Sequence, residues 1–206
     1  GSVNLDKLKD QKIDFLFIPF VREIYPKGFQ NFIDPGPLAK HLCGLKRPGH
    51  FRGVTTVVKR LFDIVKPDQA YFGEKDFQQA RIIQEMVLKL KLPVRIKTCP
   101  IVRESDGLAM SSRNRYLSKE ERMSARALYE SLVLTKQLIQ NRERNASKLK
   151  SVIRNVLRRR VTKIAYVEIV GQKDLKAVKQ VKCGTFIALA CFVGRTRLID
   201  NFLIRR

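Results

Sequence analysis

The sequence predicts an α/β fold in which a parallel-sheet part is followed by a small α+β part. Three observations carry that prediction. Between Ile13 and Cys99, short β-forming runs alternate with amphipathic helical stretches, each closed by proline or glycine. From Ser118 onward two helical stretches come first and three strand patterns follow. Hydrophobic residues make up 44% of the 206 and charged residues 30%, a composition that can bury a core despite the formal charge of +23. The boundary between the two parts falls near Ile101, giving residues 1–101 and 102–206.

Taken in order, IDFLFI at Ile13–Ile18 is short, apolar and rich in β-formers, as expected of a strand buried on both faces of a parallel sheet and ended by Pro19. After a loop with Pro26, Gly28, Pro35, Gly36 and Pro37, the stretch Phe51–Val65 sets Val54, Val57, Val58, Leu61, Phe62 and Val65 at helical spacing, and Pro67 stops it. Ala70–Phe72 reads as a brief strand. The turn Gly73-Glu74-Lys75-Asp76 follows at once, then a helical pattern up to Pro93 and a strand at Val94–Cys99.

Residues 100–116 are polar and irregular. Ser118 and Glu121 have the spacing of a capping box that opens one long helix to Gln140. A second helix, from Ala146 to Thr162, carries Leu149, Val152, Ile153, Val156 and Leu157 on one stripe and Arg154, Arg158, Arg159 and Arg160 on the other face. Strands are expected at Ile164–Val170, Thr185–Val193 and Arg197–Ile204, the last two joined by a turn at Gly194-Arg195.

Residues 102–206 hold 24 of the 42 basic side chains and 9 of the 19 acidic ones. Such a field draws polyanions in general, whether nucleic acid, acidic lipid or ATP. The arginine face lacks interleaved aromatics for base stacking, which favours a solvated surface. No apolar run approaches the ~20 residues of a membrane-spanning helix. Cys43, Cys99, Cys183 and Cys191 show no Cys-x-x-Cys spacing, and His41 and His50 are the only imidazoles, so a zinc site is not expected. Free, mostly buried thiols in a reducing cytoplasm are expected instead. Gly1-Ser2 looks like the remnant of a cut affinity tag.

Chemistry concentrates in two segments. In FGEKDFQQ at Phe72–Gln79, a glycine turn leads from a strand to a helix N-terminus, where free N–H groups and the positive end of the dipole attract anions. Lys75 suits a polyphosphate, Asp76 can accept from ribose hydroxyls, and Gln79 can donate one turn further on. The spacing alone leaves open that Glu74 and Asp76 only cap the helix and that Lys75 is solvated. The second segment, Met110-Ser111-Ser112-Arg113-Asn114, offers hydroxyls and a guanidinium that can wrap phosphate oxygens, or an ordinary turn. His50, in RPGHFRG, is an acid–base candidate or a helix cap.

Taken together, EIYP at Glu23–Pro26, RPGHFRGV at Arg47–Val54, KPDQAYFGEKDFQQ at Lys66–Gln79, DGLAMSSRNRYLS at Asp106–Ser118 and RLIDN at Arg197–Asn201 resemble the pantothenate synthetase (pantoate–β-alanine ligase) family. The resemblance implies a Rossmann-like nucleotidyltransferase domain, residues 1–101, lacking its opening strands, and a small α+β C-terminal lid domain, residues 102–206. It implies an ATP-dependent ligase that joins pantoate to β-alanine through pantoyl adenylate and releases AMP and pyrophosphate. The implied ATP-binding set is Gly73, Glu74, Lys75, Asp76, Val102, Met110, Ser111, Ser112 and Arg113. Lys75 and Arg113 are the expected catalytic cations, Gln79 the pantoate ligand, and Mg2+ a bridge between phosphate oxygens with no dedicated protein site. A homodimer in the cytoplasm, without nucleic acid or membrane, is expected. The family's opening MGxLHxGH signature does not occur in the 206 residues. The chain is therefore expected to be silent by itself and to expose a sheet edge. Two alternatives are a basic nucleic-acid-binding module on the same scaffold and a different adenylate-forming ligase.

Overall fold

A computed structural model describes residues 13–205. The Gly1-Ser2 pair, expected to be a tag remnant, lies outside the described residues. Strand β1 (Gln69–Gly73) lies parallel to β2 (Arg95–Cys99), with Gln69 opposite Arg95 and Gly73 opposite Cys99. Helix α1 (His50–Val65) precedes this pair, and α2 (Phe77–Lys89) makes the crossover between its strands. Parallel strands need such a crossover because a tight hairpin cannot return the chain to the same end.

The expected strand Ile13–Ile18 does not form. Those residues form no regular element and pair with neither strand, and Phe15 is 92% exposed. An apolar run of this kind becomes a central strand only with a neighbour on each edge and a layer on each face, and the described residues supply neither.

The second part opens with α3 (Lys119–Ala125) and α4 (Ala127–Gln140), followed by α5 (Ala146–Arg158). The capping box is present: Ser118 Oγ accepts from the Glu121 N–H at 3.1 Å, and the Glu121 carboxylate accepts from the Ser118 N–H at 3.0 Å. The single helix expected to Gln140 is two, because the Arg126 N–H is shared between the carbonyls of Arg122 and Ser124 and the ladder slips there. Helix α5 ends at Arg158 rather than Thr162. The Thr162 N–H donates instead to the Phe192 carbonyl at 2.9 Å, drawing the chain into the sheet.

That sheet has the order β3 (Lys163–Gly171), β4 (Thr185–Val193), β5 (Thr196–Leu203), all antiparallel. The central strand TFIALACFV is apolar throughout because both of its faces are covered. Ile187, Leu189, Cys191 and Val193 pack with Val167 and Ile169 against Leu128, Leu132, Leu149, Ile153 and Leu157 of the helices. Phe186 and Ala188 face the other way, against Leu38, Leu42, Phe51, Phe77 and Ile82 of the first part. Phe77 and Phe186 stack with centroids 4.0 Å apart.

All four cysteines are free, but Cys99 and Cys183 are exposed, against the expectation of mostly buried thiols. Cys99 ends a strand with no covering layer, and Cys183 sits in the turn before β4. Burial pushes the Cys191 thiol up to about 12. No helix among the described residues is long and apolar enough to cross a membrane.

Phe186 is 2% exposed and joins the two parts, so Phe186→Ala is expected to lower unfolding stability by about 3–5 kcal/mol in urea titration. A loss below about 1 kcal/mol would show that the stack does not hold the parts together.

Candidate active site

Strand β1 delivers the chain at Gly73 into a 3-10 turn, Glu74–Asp76, from which α2 rises. Asp76 stands at the N-cap of α2 but makes no side-chain capping bond, so the first N–H groups of the helix are not closed by it. Lys75, Asp76 and Gln79 line a cavity of about 280 Å³ between this turn and the antiparallel sheet. Arg113 reaches the same cavity from the second part. Two segments far apart in the sequence thus meet, and they bring a lysine and an arginine to one wall. Lys75, Ser111 and Arg113 also line an adjoining cleft.

The remaining sequence candidates lie around this centre. Gly73, Met110, Ser112 and Val102 do not line the cavity; Met110 is 55% and Val102 63% exposed. The Met110 N–H donates to the Val102 carbonyl at 2.9 Å, which ties those two together at the base of the loop. Glu74 turns to the opposite side of the 3-10 turn and pairs with Arg205, so its carboxylate faces a separate cavity.

The Met110–Asn114 loop is braced from below. Ser111 Oγ accepts from the Arg113 N–H at 3.3 Å and opens a 3-10 turn over Ser112–Tyr116. Asn114, 6% exposed, points inward and donates to the Ala109 carbonyl at 3.1 Å and to the Glu104 carboxylate. Glu104 and Asp106 together hold Arg122. The Asn114 hydrogen bond, followed by that of Arg122, keeps the Glu104 carboxyl below the usual glutamate range. Asn114 therefore shapes the loop while Ser111 and Arg113 face the clefts.

His50 begins α1 and lines the cavity. Its Nε2 lies 2.9 Å from Arg47 Nη1, a group that can only donate, so Nε2 accepts and the imidazole is neutral. Burial, and then the Arg47 charge, lower its pKa. Tyr166 on β3 and Cys43, at the start of a short helix in the first part, lie 3.3 Å apart across the cavity lining, and burial pushes the Tyr166 phenol well above its ordinary value. Arg197, Ile199 and Asn201 line the sheet wall from one face of β5. Sequence reasoning missed Arg197 and Asn201 as site residues. Their signal is two polar side chains at even spacing on the face of β5 that also carries Ile199 and Leu203.

Residues 2–203 match the family model described as Pantoate-beta-alanine ligase. The chain belongs to the pantoate-beta-alanine ligase family. A pantothenate synthetase of Fervidobacterium nodosum is 51% identical over 201 residues, 98% of this chain and 72% of that protein. One of Thermotoga petrophila is 50% identical over 198 residues, 96% and 71%. Among solved structures, pantothenate synthetase from Thermus thermophilus superposes with a TM-score of 0.92 at 38% identity, over 100% of this chain and 76% of that one. The Francisella tularensis pantoate-beta-alanine ligase, complexed with Beta-gamma ATP and Beta-alanine, gives 0.74 at 33% identity, over 97% and 68%. The family fold is thus an α/β nucleotidyltransferase-like one, and the cavity between β1, α2 and the antiparallel sheet sits within it.

The depressed Glu104 pKa has a testable sign. Stability from a carboxyl lowered on folding is fully present above its unfolded value and is lost as pH falls through the folded value. The melting temperature is expected to drop as pH is taken below the ordinary glutamate value of 4.5. Glu104→Gln should lower the melting temperature at neutral pH and flatten that acid limb; an unchanged acid limb would remove Glu104 from the brace.

Proposed function

We propose that this cavity is the ATP and pantoate site of a ligase that condenses pantoate with β-alanine. The observation that supports it best is the convergence of Lys75, Asp76 and Gln79, from the turn after β1, with Arg113 from the distant loop. In this reading the pantoate carboxylate attacks the α-phosphorus of ATP and pyrophosphate leaves, forming pantoyl adenylate. The β-alanine amine then attacks the acyl carbon, loses a proton, and AMP departs.

Adenylation moves negative charge onto the α-phosphate oxygens and the leaving pyrophosphate. Fixed cations and N–H donors stabilise such charge without any dedicated nucleophile. Lys75 and Arg113 serve as those cations. The N–H groups of Ser111, Ser112 and the start of α2 serve as donors. Gly73 lets the backbone approach the ribose, Asp76 accepts from its hydroxyls, and Gln79 orients pantoate. The backbone of Val102, beside Met110, meets the adenine edge.

Among the described residues no three acidic, imidazole or thiol groups stand together as a metal site. Magnesium would enter with the triphosphate of the substrate, and Lys75 and Arg113 would share with it the neutralisation of the phosphate charge. Residues 102–206 act as a lid over residues 1–101, because they bring Arg113 and Arg197 to a site whose turn belongs to the first part. A homodimer through residues 1–101 and a reducing cytoplasm complete the reading; free thiols agree with the latter.

The H-x-x-H pair that the family resemblance assigns to ATP lies in a segment that these 206 residues do not contain. His50, neutral and tied to Arg47, does not replace it. The chain by itself is therefore expected to release no AMP in response to β-alanine, and addition of a segment bearing MGxLHxGH is expected to restore turnover. Release by the pure chain would refute this. In the restored enzyme, Lys75→Ala should slow pantoyl adenylate formation by about 10²–10³-fold in a pyrophosphate-release assay while the melting temperature holds. Near-normal turnover would remove Lys75 from its role.

A further inference from the structure

The 3-10 turn that aims Lys75 is held from outside as well as by its own i→i+3 bonds. Asn201, on β5, donates from Nδ2 to the Glu74 carbonyl at 3.1 Å and to the Lys75 carbonyl at 2.9 Å. One amide nitrogen has two hydrogens, and here each finds a backbone acceptor. Asn201 is 6% exposed, so water does not readily replace those bonds. The residue beside it, Asp200, takes Arg103 in a two-pronged ion pair at 2.7 and 3.0 Å. Arg103 follows Val102 and also donates to the Gly107 carbonyl at 3.0 Å. Two consecutive residues of one strand, with side chains on opposite faces, thus grip the Lys75 turn and the root of the Met110–Asn114 loop.

We propose that Asn201 is a positioning residue for the nucleotide site: by pinning the Glu74 and Lys75 carbonyls it sets the peptide orientation that points Lys75 and Asp76 into the cavity. The inference rests on the reading of that cavity as an ATP site. It goes beyond that reading in making the antiparallel sheet the element that organises the turn.

Two other features carry less. The apolar cleft beside Pro37, His41 and Leu88 has nothing that identifies an occupant. The Cys43–Tyr166 contact belongs to the wall of the site already described.

The test has two readouts on the whole chain. The first is hydrogen exchange of the amides of residues 74–77 without nucleotide. Asn201→Asp, which removes both donors and sets a carboxylate against two carbonyls, is expected to speed that exchange by about tenfold or more, while the amides of β5 stay protected. Asn201→Leu should do the same without added charge, which keeps the test open if the Asp variant fails to fold. Asn201→Gln, which keeps the amide, should restore most of the protection. Unchanged exchange in both donor-deleting variants would overturn the proposal whatever the cavity binds.

The second readout is calorimetric affinity for Mg·ATP in the enzyme restored with the MGxLHxGH segment. Each donor-deleting variant is expected to weaken binding by about tenfold, and the Gln variant should recover most of it. In the background of Lys75→Ala, Asn201→Leu should cost clearly less than it does alone, because a positioning residue acts largely through the group it positions and only its share through Asp76 remains. Fully additive losses would make Asn201 a merely structural residue and overturn the proposal. If the enzyme restored with the MGxLHxGH segment does not bind Mg·ATP, the ATP reading fails, and the exchange readout still decides whether Asn201 holds the turn.

Discussion

The structure depends on the burial of both faces of β4. One face is an ordinary core, with sheet residues packed on the helices that precede it. The other is a docking surface, where Phe186 and Ala188 meet Phe77 and Ile82 of α2. Because α2 begins at the turn carrying Lys75, the apolar contact that seats the sheet also fixes its distance from that turn. The polar side chains of β5 then fall within hydrogen-bonding reach of the turn's carbonyls. Apolar burial supplies the attraction, and directional bonds from Asn201 supply the register.

Most of the element order was legible in the sequence, for identifiable reasons. Helix α5 could be read because Leu149, Val152, Ile153, Val156 and Leu157 recur at the helical period, though its end at Arg158 carries no stop residue, and β4 because it is a short run that is almost wholly apolar. Ile13–Ile18 misled for the opposite reason. Its residues state what they would do if covered, and hydrophobicity alone does not reveal whether a cover is present. The break at Arg126 was invisible because its backbone stays right-handed and only the hydrogen-bond partner changes.

For the site, Lys75, Asp76, Gln79 and Arg113 could be named from motifs, since glycine turns and hydroxyl-rich loops announce themselves. Asn114 was read with its loop as a candidate and is an inward brace. That distinction turns on which way a side chain points from a 3-10 turn, which composition does not encode. Asn201 stands out in the sequence only as part of the RLIDN motif, because its partners are backbone carbonyls and carbonyls carry no sequence signature. The charge of +23 likewise changes in meaning. Arg103, Arg122 and Arg144 are taken up by internal carboxylates and carbonyls, and Arg158 and Arg159 lie exposed on the end of α5, away from the cavity.

Gly107 carries a consequence for how freely the loop can vary. It adopts φ +87°, and a Cβ there would come within 2.1 Å of the Tyr129 ring. The same ring lies under the Arg103 guanidinium at 4.5 Å, and Arg103 is the partner of Asp200. A single methyl group at position 107 would therefore displace an aromatic ring, unseat the cation resting on it and strand a buried carboxylate, three side chains away from the change. Position 107 thus tolerates no side chain, and the ion pair on β5 and the root of the loop depend on a residue that contributes only the space it leaves empty.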